Sequence, residues 1–279
     1  MTATTLISAA ELMALRSSGR TLVVLDCRFD LADPQAGARA FAVGHVDGAR
    51  YAHLDHDLAG SKTGSNGRHP LPDRDAFAAT LCRWGVTPDV QVVAYDAQGG
   101  VYAARAWWML RWMGHGAVAV LDGGVDAWRA EGGVMNNQTT VQTPSLPYPG
   151  AASLAPTVDA PGLMSSLAQV CLLDARAPER FRGDVEPLDP VAGHIPGARN
   201  HFFKDNLQAD GRFKPAAELR AAFEGYGKSA VQVVHQCGSG VTACHNLLAM
   251  AHAGLHGSVL YPGSWSEWCA DPARPVARG

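Results

Sequence analysis

The chain has 279 residues, of which 47% are hydrophobic and 18% charged, with a formal net charge of −3. That length suits two ordinary domains or one large one, with enough apolar side chain to fill a core. The slight acidity argues against a dedicated nucleic-acid or anionic-membrane binder. Six cysteines, at 27, 82, 171, 237, 244 and 269, lie far apart, with no C-x-x-C pair and no zinc spacing, as suits a reducing compartment. The stretch from Met1 to Ala10 lacks the basic start and long apolar run of a secretory signal. No window reaches about eighteen consecutive apolar residues, so a cytoplasmic protein is expected.

In chain order, the first strand is expected over Thr21–Leu25, leading to Asp26-Cys27-Arg28. Gly44-His45-Val46-Asp47-Gly48-Ala49-Arg50 forms a turn, followed by a polar, glycine-rich loop that runs to Gly67-Arg68-His69-Pro70-Leu71-Pro72. Asp73–Trp84 reads as a helix and Val90–Tyr95, β-branched and apolar, as a buried strand. Asp96–Gly100 turns into a helix over Val101–Met113 that carries Trp107, Trp108 and Trp112, a group expected to pack between layers or domains. A further strand, Ala117–Leu121, meets Asp122-Gly123-Gly124, with Trp128 beyond.

The second half repeats this order. Val170–Arg176 again gives strand-Asp-x-Arg, Gly193–Arg199 the Gly-His turn, Val231–Gln236 the buried strand, and Ser258–Gly263 with Trp265 and Trp268 the end. Asp26 precedes His45 by 19 residues and Asp174 precedes His194 by 20. A duplicated unit is the direct explanation. The fold class is therefore α/β, with two tandem domains, each a mostly parallel sheet flanked by helices on both faces. The boundaries are set at 1–138 and 157–279, joined by a linker at 139–156, which holds four prolines and no periodicity. Features present twice are assigned to the fold. Asp26 and Asp174 are expected to accept hydrogen bonds from the neighbouring imidazole or from turn amides. His235, on a buried strand, reads as a core histidine, and Arg105 as a helix-surface or interdomain residue.

One position breaks the symmetry. The second buried strand ends at Cys237, followed by Gly238-Ser239-Gly240-Val241-Thr242-Ala243 and a helix-like run, whereas the first ends at Asp96. Strand-Cys-Gly-Ser-Gly-helix places a sulfur before the unpaired amides and the positive dipole end of a helix, which favours a thiolate. Gly238 and Gly240 let the backbone approach an anion closely. The competing reading is a buried core cysteine. Cys244, on the following helix, reads as inert.

These residues resemble the rhodanese family of tandem-domain sulfurtransferases. The resemblance is carried by Asp174-Ala175-Arg176, by Gly193-His194-Ile195-Pro196-Gly197-Ala198 and by the loop from Cys237 to Ala243. Ala104-Arg105-Ala106-Trp107-Trp108 and Leu121-Asp122-Gly123-Gly124 carry it in the first half. It implies a catalytically silent first domain and a second domain whose Cys237 carries a persulfide. The neutral loop is similar to that of 3-mercaptopyruvate sulfurtransferases. In that likeness Ser239 and His69 belong to a relay that moves the substrate thiol proton, and Arg180 binds the substrate carboxylate. The loop residues Gly238, Gly240, Val241 and Thr242 line the anion site. Two departures follow: Leu188 stands where a second arginine is expected, and Ala59, with Asp55 and Asp57 nearby, where a relay aspartate is expected. Arg182 or Arg68 are the candidates for the missing charge.

The resemblance implies a small-molecule sulfur donor, with cyanide or a thiol as acceptor, and no nucleic acid or membrane. No metal or dissociable cofactor is expected, since no ligand cluster, P-loop or G-x-G-x-x-G occurs. Thiosulfate is the alternative donor, and a non-catalytic sulfur carrier or scaffold the alternative of another class. A cysteine phosphatase would need a guanidinium about six residues after the nucleophile, where Ala243 stands. Ser239 as a helix cap, His69 as a loop residue and Arg180 as a surface charge are the structural alternatives.

Overall fold

A computed structural model describes residues 2–138, 147–226 and 233–279. The chain divides into two compact units that are not consecutive in sequence. The first comprises Met1–Ala59, Pro72–Leu154 and Ala209–Phe213; the second comprises Gly60–Leu71, Ala155–Gln208 and Lys214–Gly279. This differs from the single cut expected between 138 and 157. Of the expected linker, residues 139–146 lie outside the described residues, and the part up to Leu154 belongs to the first unit. Two short segments change sides, each for a local reason. A Cβ on Gly67 would begin 2.8 Å from the Gly263 carbonyl oxygen, and the Arg68 N–H donates to Ser266 Oγ at 3.0 Å. The Phe213 N–H donates to Asp122 Oδ1 at 2.9 Å.

The first unit contains β1 (Leu6–Ile7), α1 (Ala9–Ser17), β2 (Leu22–Asp26), α2 (Ala36–Val43), β3 (His45–Val46), β4 (Arg50–Tyr51), α3 (Leu54–Asp57), α4 (Arg74–Arg83), β5 (Gln91–Tyr95), α5 (Val101–Trp112), β6 (Val118–Leu121), α6 (Gly124–Ala130) and β7 (Met135–Asn136). The sheet order is β1-β6-β5-β2-β4, parallel throughout, with β3 and β7 as a separate antiparallel pair. Every residue of β5 is buried, as a parallel strand covered on both faces requires. On one face Val24, Val93, Ala119 and Leu121 cluster with Leu12 of α1 and with Val125 and Trp128 of α6. Asp73 caps α4 by accepting the amides of Asp75 and Ala76.

The second unit contains α7 (Ala160–Ser166), β8 (Cys171–Asp174), α8 (Pro178–Arg182), β9 (Arg199–Asn200), α9 (Ala216–Glu224), β10 (Val233–Gln236), α10 (Thr242–His252), β11 (Val259–Leu260) and α11 (Ser264–Trp268). The parallel order is β11-β10-β8-β9. A parallel bridge from Thr157 to Leu260 stands where β1 stands in the first unit. The expected strand Val231–Gln236 is seen from Val233; residues 231–232 lie outside the described residues.

The repeat extends to side chains. Asp26 and Asp174 each accept the backbone N–H and the guanidinium of the arginine two residues on. The expected turn amide is present, but the expected imidazole is not: His45 and His194 bond the carbonyls of Phe41 and Phe181 at 2.8 Å and stack on those rings. Of the two placements expected for Arg105, the helix surface is not the one found: it is fully buried on α5, with Nε–H donating to the Leu58 carbonyl at 3.2 Å.

Candidate active site

β10 delivers Cys237 to the start of α10. The amides of Ser239 and Gly240 donate to Cys237 Sγ at 3.4 and 3.1 Å. The sulfur is almost covered, with Cys237 2% exposed, yet donors converge on it, so the plain core-cysteine reading does not describe it. Two aimed amides stabilise negative charge on sulfur. Gly240 has φ +78°, and a Cβ there would meet the Pro262 carbonyl oxygen at 2.3 Å; the turn closes only with glycine.

The loop is also held from α11. The amides of Trp265 and Ser266 donate to the carbonyls of Cys237 and Gly238, each at 2.9 Å. The Cys237 N–H donates to Ser264 Oγ at 3.1 Å, and that hydroxyl donates onward to the Tyr261 carbonyl. Among the described residues Ser264 is the one non-glycine with positive φ, 55°. Such a conformation persists where its surroundings over-determine it.

The corresponding turn of the first unit is built around a carboxylate. Asp96 is fully buried and accepts the amides of Gln98, Gly100, Tyr102 and Ala103 at 2.8–3.0 Å. Burial pushes its carboxyl up, and the four amides oppose that. One backbone nest occurs twice, holding a fixed anion in one unit and a sulfur in the other.

Ser239 Oγ lies 2.7 Å from His69 Nδ1. Val241 stands at the N-cap of α10, where no side-chain cap bond is made. His69 and Ser239 are both buried, and His69 arrives on the 60–71 segment. Thr242 opens α10 and Val241 is buried beside the loop.

Arg180, in the middle of α8, donates from Nε and Nη2 to Glu186 at 3.2 and 2.6 Å, and Nη2 lies 3.4 Å from Asp189 Oδ2. Glu186 also pairs with Arg176 at 3.3 Å and accepts the amides of Leu188 and Asp189. Arg68 Nη1 pairs with Asp189 Oδ1. Burial pushes the Asp189 carboxyl up, against the pull of Arg68. Leu188, at the position of the expected second arginine, is exposed, and Arg182 pairs outward with Asp184. Asp57 accepts the His53 amide and Arg83 Nη2, within the first unit. Ser264, Glu186 and Asp189 escaped the sequence reading. Ser264 was hidden because positive φ at serine has no sequence mark, and the acids because their partners are set by the fold. Among the described residues no group of three or more His, Cys, Asp and Glu could hold a metal ion, and no helix is long and apolar enough to cross a membrane.

The rhodanese-like domain family model matches residues 8–131 and again 159–271. A Pseudomonas aeruginosa protein described as "Probable 3-mercaptopyruvate sulfurtransferase" is 49% identical over 276 residues, covering 97% of each chain. The Mycobacterium tuberculosis protein described as "Putative thiosulfate sulfurtransferase SseB" is 42% identical over 281 residues, covering 98% of this chain and 97% of its own. The solved 3-mercaptopyruvate sulfurtransferase of Leishmania major superposes with a TM-score of 0.83 at 30% identity, over 95% of this chain and 74% of that one. The chain belongs to the rhodanese-like domain family, in its two-domain form. Its chemistry is enzymatic sulfur transfer, from a small-molecule donor to a small-molecule acceptor.

Proposed function

We propose that the enzyme takes sulfur from 3-mercaptopyruvate through a persulfide on Cys237. The observation that carries this is the pair of amides aimed at Cys237 Sγ beside a serine–histidine pair. The Cys237 thiolate attacks the donor sulfur. A sulfur–sulfur bond forms and the carbon–sulfur bond breaks, its electron pair passing to C3 of the departing pyruvate enolate. The thiol proton, handed through Ser239 and His69, ends on that carbon. The persulfide's outer sulfur then passes to cyanide or a thiol, and the Cys237 thiolate is regenerated. Arg180 orients the donor carboxylate. Gly238, Gly240, Val241 and Thr242 shape the anion site. The first domain, whose nest holds Asp96, is silent. Free cysteines throughout suit a reducing cytoplasm.

The test is steady-state turnover with 3-mercaptopyruvate and with thiosulfate on one preparation, with Cys237→Ser beside it. The kcat/KM ratio is expected to favour mercaptopyruvate, and the serine variant to form no thiocyanate. Two guanidiniums near the loop, Arg68 and Arg180, favour a second reading in which the thiosulfate dianion is the preferred donor; a reversed ratio would establish it. A chromogenic phosphate ester should not be hydrolysed.

A further inference from the structure

We infer that the core of the second unit binds a water molecule between Gln236, the Ile195 amide and the Asp174 carboxylate, at the place that the Tyr95 hydroxyl fills in the first unit. The duplication points to it, because each half shows what the other has exchanged. In the first unit Tyr95 pairs with Asp26 across β5 and β2. Its hydroxyl donates to Asp26 Oδ2 at 2.7 Å and accepts the Val46 N–H at 3.1 Å. One buried oxygen thus ties the strand-end carboxylate to the turn after His45. In the second unit Gln236 pairs with Asp174 across β10 and β8 in the same register, and Ile195 follows His194 as Val46 follows His45. Here the polar groups are left over. Asp26 Oδ2 accepts from Arg28 and from Tyr95, whereas Asp174 Oδ2 accepts from Arg176 alone among the described residues. The Ile195 N–H donates to no group among the described residues, and neither Nε2 nor Oε1 of Gln236 has a partner there. Asp174, Ile195 and Gln236 are each 0% exposed.

A change of strand by one aromatic ring explains the difference. Leu121 follows Val120, which β6 pairs with Ala94, and Tyr261 follows Leu260, which β11 pairs with His235. Tyr95 beside Leu121 in one core therefore answers to Gln236 beside Tyr261 in the other. The phenol moved with its ring. Burial pushes the Tyr261 hydroxyl pKa up, and the acid that adds to this is Glu267, not Asp174. Glutamine is shorter than tyrosine, and its amide stops short of the place that the hydroxyl oxygen takes. Buried amides without partners are costly, and a buried water with two to four polar neighbours removes that cost. This one receives the Ile195 N–H and donates to Asp174 Oδ2, as the Tyr95 hydroxyl does for Val46 and Asp26. Its remaining hydrogen and lone pair turn to the Gln236 amide.

The test is a crystal structure of the full chain at a resolution that shows ordered water. Wild type is compared with the double exchange Gln236→Tyr/Tyr261→Leu, which copies the pair of the first unit. Wild type is expected to show a solvent peak about 2.7–3.2 Å from both Ile195 N and Asp174 Oδ2. The double exchange should show a phenolic oxygen at that point and no solvent. In solution, oxygen-17 relaxation dispersion of water should count one fewer long-lived internal water in the double exchange than in wild type. The reciprocal exchange Tyr95→Gln/Leu121→Tyr should count one more. A wild-type Gln236 amide bonded directly to Ile195 or Asp174 overturns the inference. So does a dry gap between them, or a count that neither exchange alters. If neither exchange folds, the wild-type solvent peak decides alone.

Discussion

His69 Nδ1 and Ser239 Oγ meet at 2.7 Å although 170 positions separate them in the chain. The contact predicts a donor-selective defect. Ser239→Ala and His69→Ala should each lower kcat with 3-mercaptopyruvate about a hundredfold or more, the usual scale for a lost proton transfer. Turnover of thiosulfate, which carries no thiol proton at neutral pH, should fall far less. The double variant should be scarcely worse than either single one, since the two act as a unit. Equal losses with both donors would show the pair to be structural.

Asp96 makes a stability prediction without a catalytic one. Asp96→Ala strips three buried amides and a part-buried one of their acceptor, which should cost about 2–4 kcal/mol in urea unfolding. Asp96→Asn, keeping one acceptor oxygen, should cost less. In both variants kcat/KM per folded molecule should equal that of wild type. A selective loss of turnover would mean that the first unit is not silent.

Gly240→Ala should damage both properties together. The positive φ and the 2.3 Å approach to the Pro262 carbonyl force the turn to open, at about 1–3 kcal/mol. Opening carries the Gly240 amide away from Cys237 Sγ, so kcat should drop for both donors. Paired thermal unfolding and turnover measurements check this.

His235 gives the pH prediction. Burial lowers its pKa from 6.5 to about 3, with His201 adding to the shift, and its Nε2 sits 3.1 Å from Met250 Sδ. Above pH 6.5 neither the folded nor the unfolded chain protonates this ring, and it adds no slope. Between 6.5 and about 3 the unfolded chain binds a proton that the folded chain refuses, so stability falls as pH falls, by about 1.4 kcal/mol per unit. From pH 7.5 to 5.0 wild type should therefore lose about 2 kcal/mol more than His235→Leu. Urea midpoints at the two pH values decide it. Burial lowers the His201 pKa as well, so a shallower slope should remain in His235→Leu.

The architecture was legible because it is written in local patterns. The β-branched run ending at Tyr95 is a fully buried strand, Asp73 starts its helix as a capping residue should, and the two Asp-x-Arg turns fold alike. The proposed nucleophile stands out because duplication supplies its own control, Asp96 against Cys237. What stayed hidden depends on distant contacts. Arg105, amid alanines and tryptophans, reads equally as a helix-surface or an interdomain residue, and only the fold shows it buried with the Leu58 carbonyl as acceptor. Ser264 gives no sign that its backbone takes a left-handed turn to reach the Cys237 amide. Arg68 and Arg182 were equal candidates until the fold turned one toward Gly238 and the other to Asp184.

The crossing of residues 60–71 into the second unit bears on how the gene can be dissected. A fragment beginning at residue 157 would carry Cys237 and its cradle but neither His69 nor Arg68, which this short excursion brings. The half without a cysteine in its nest thus lends a dozen residues to its sibling, and separating the halves would strand them.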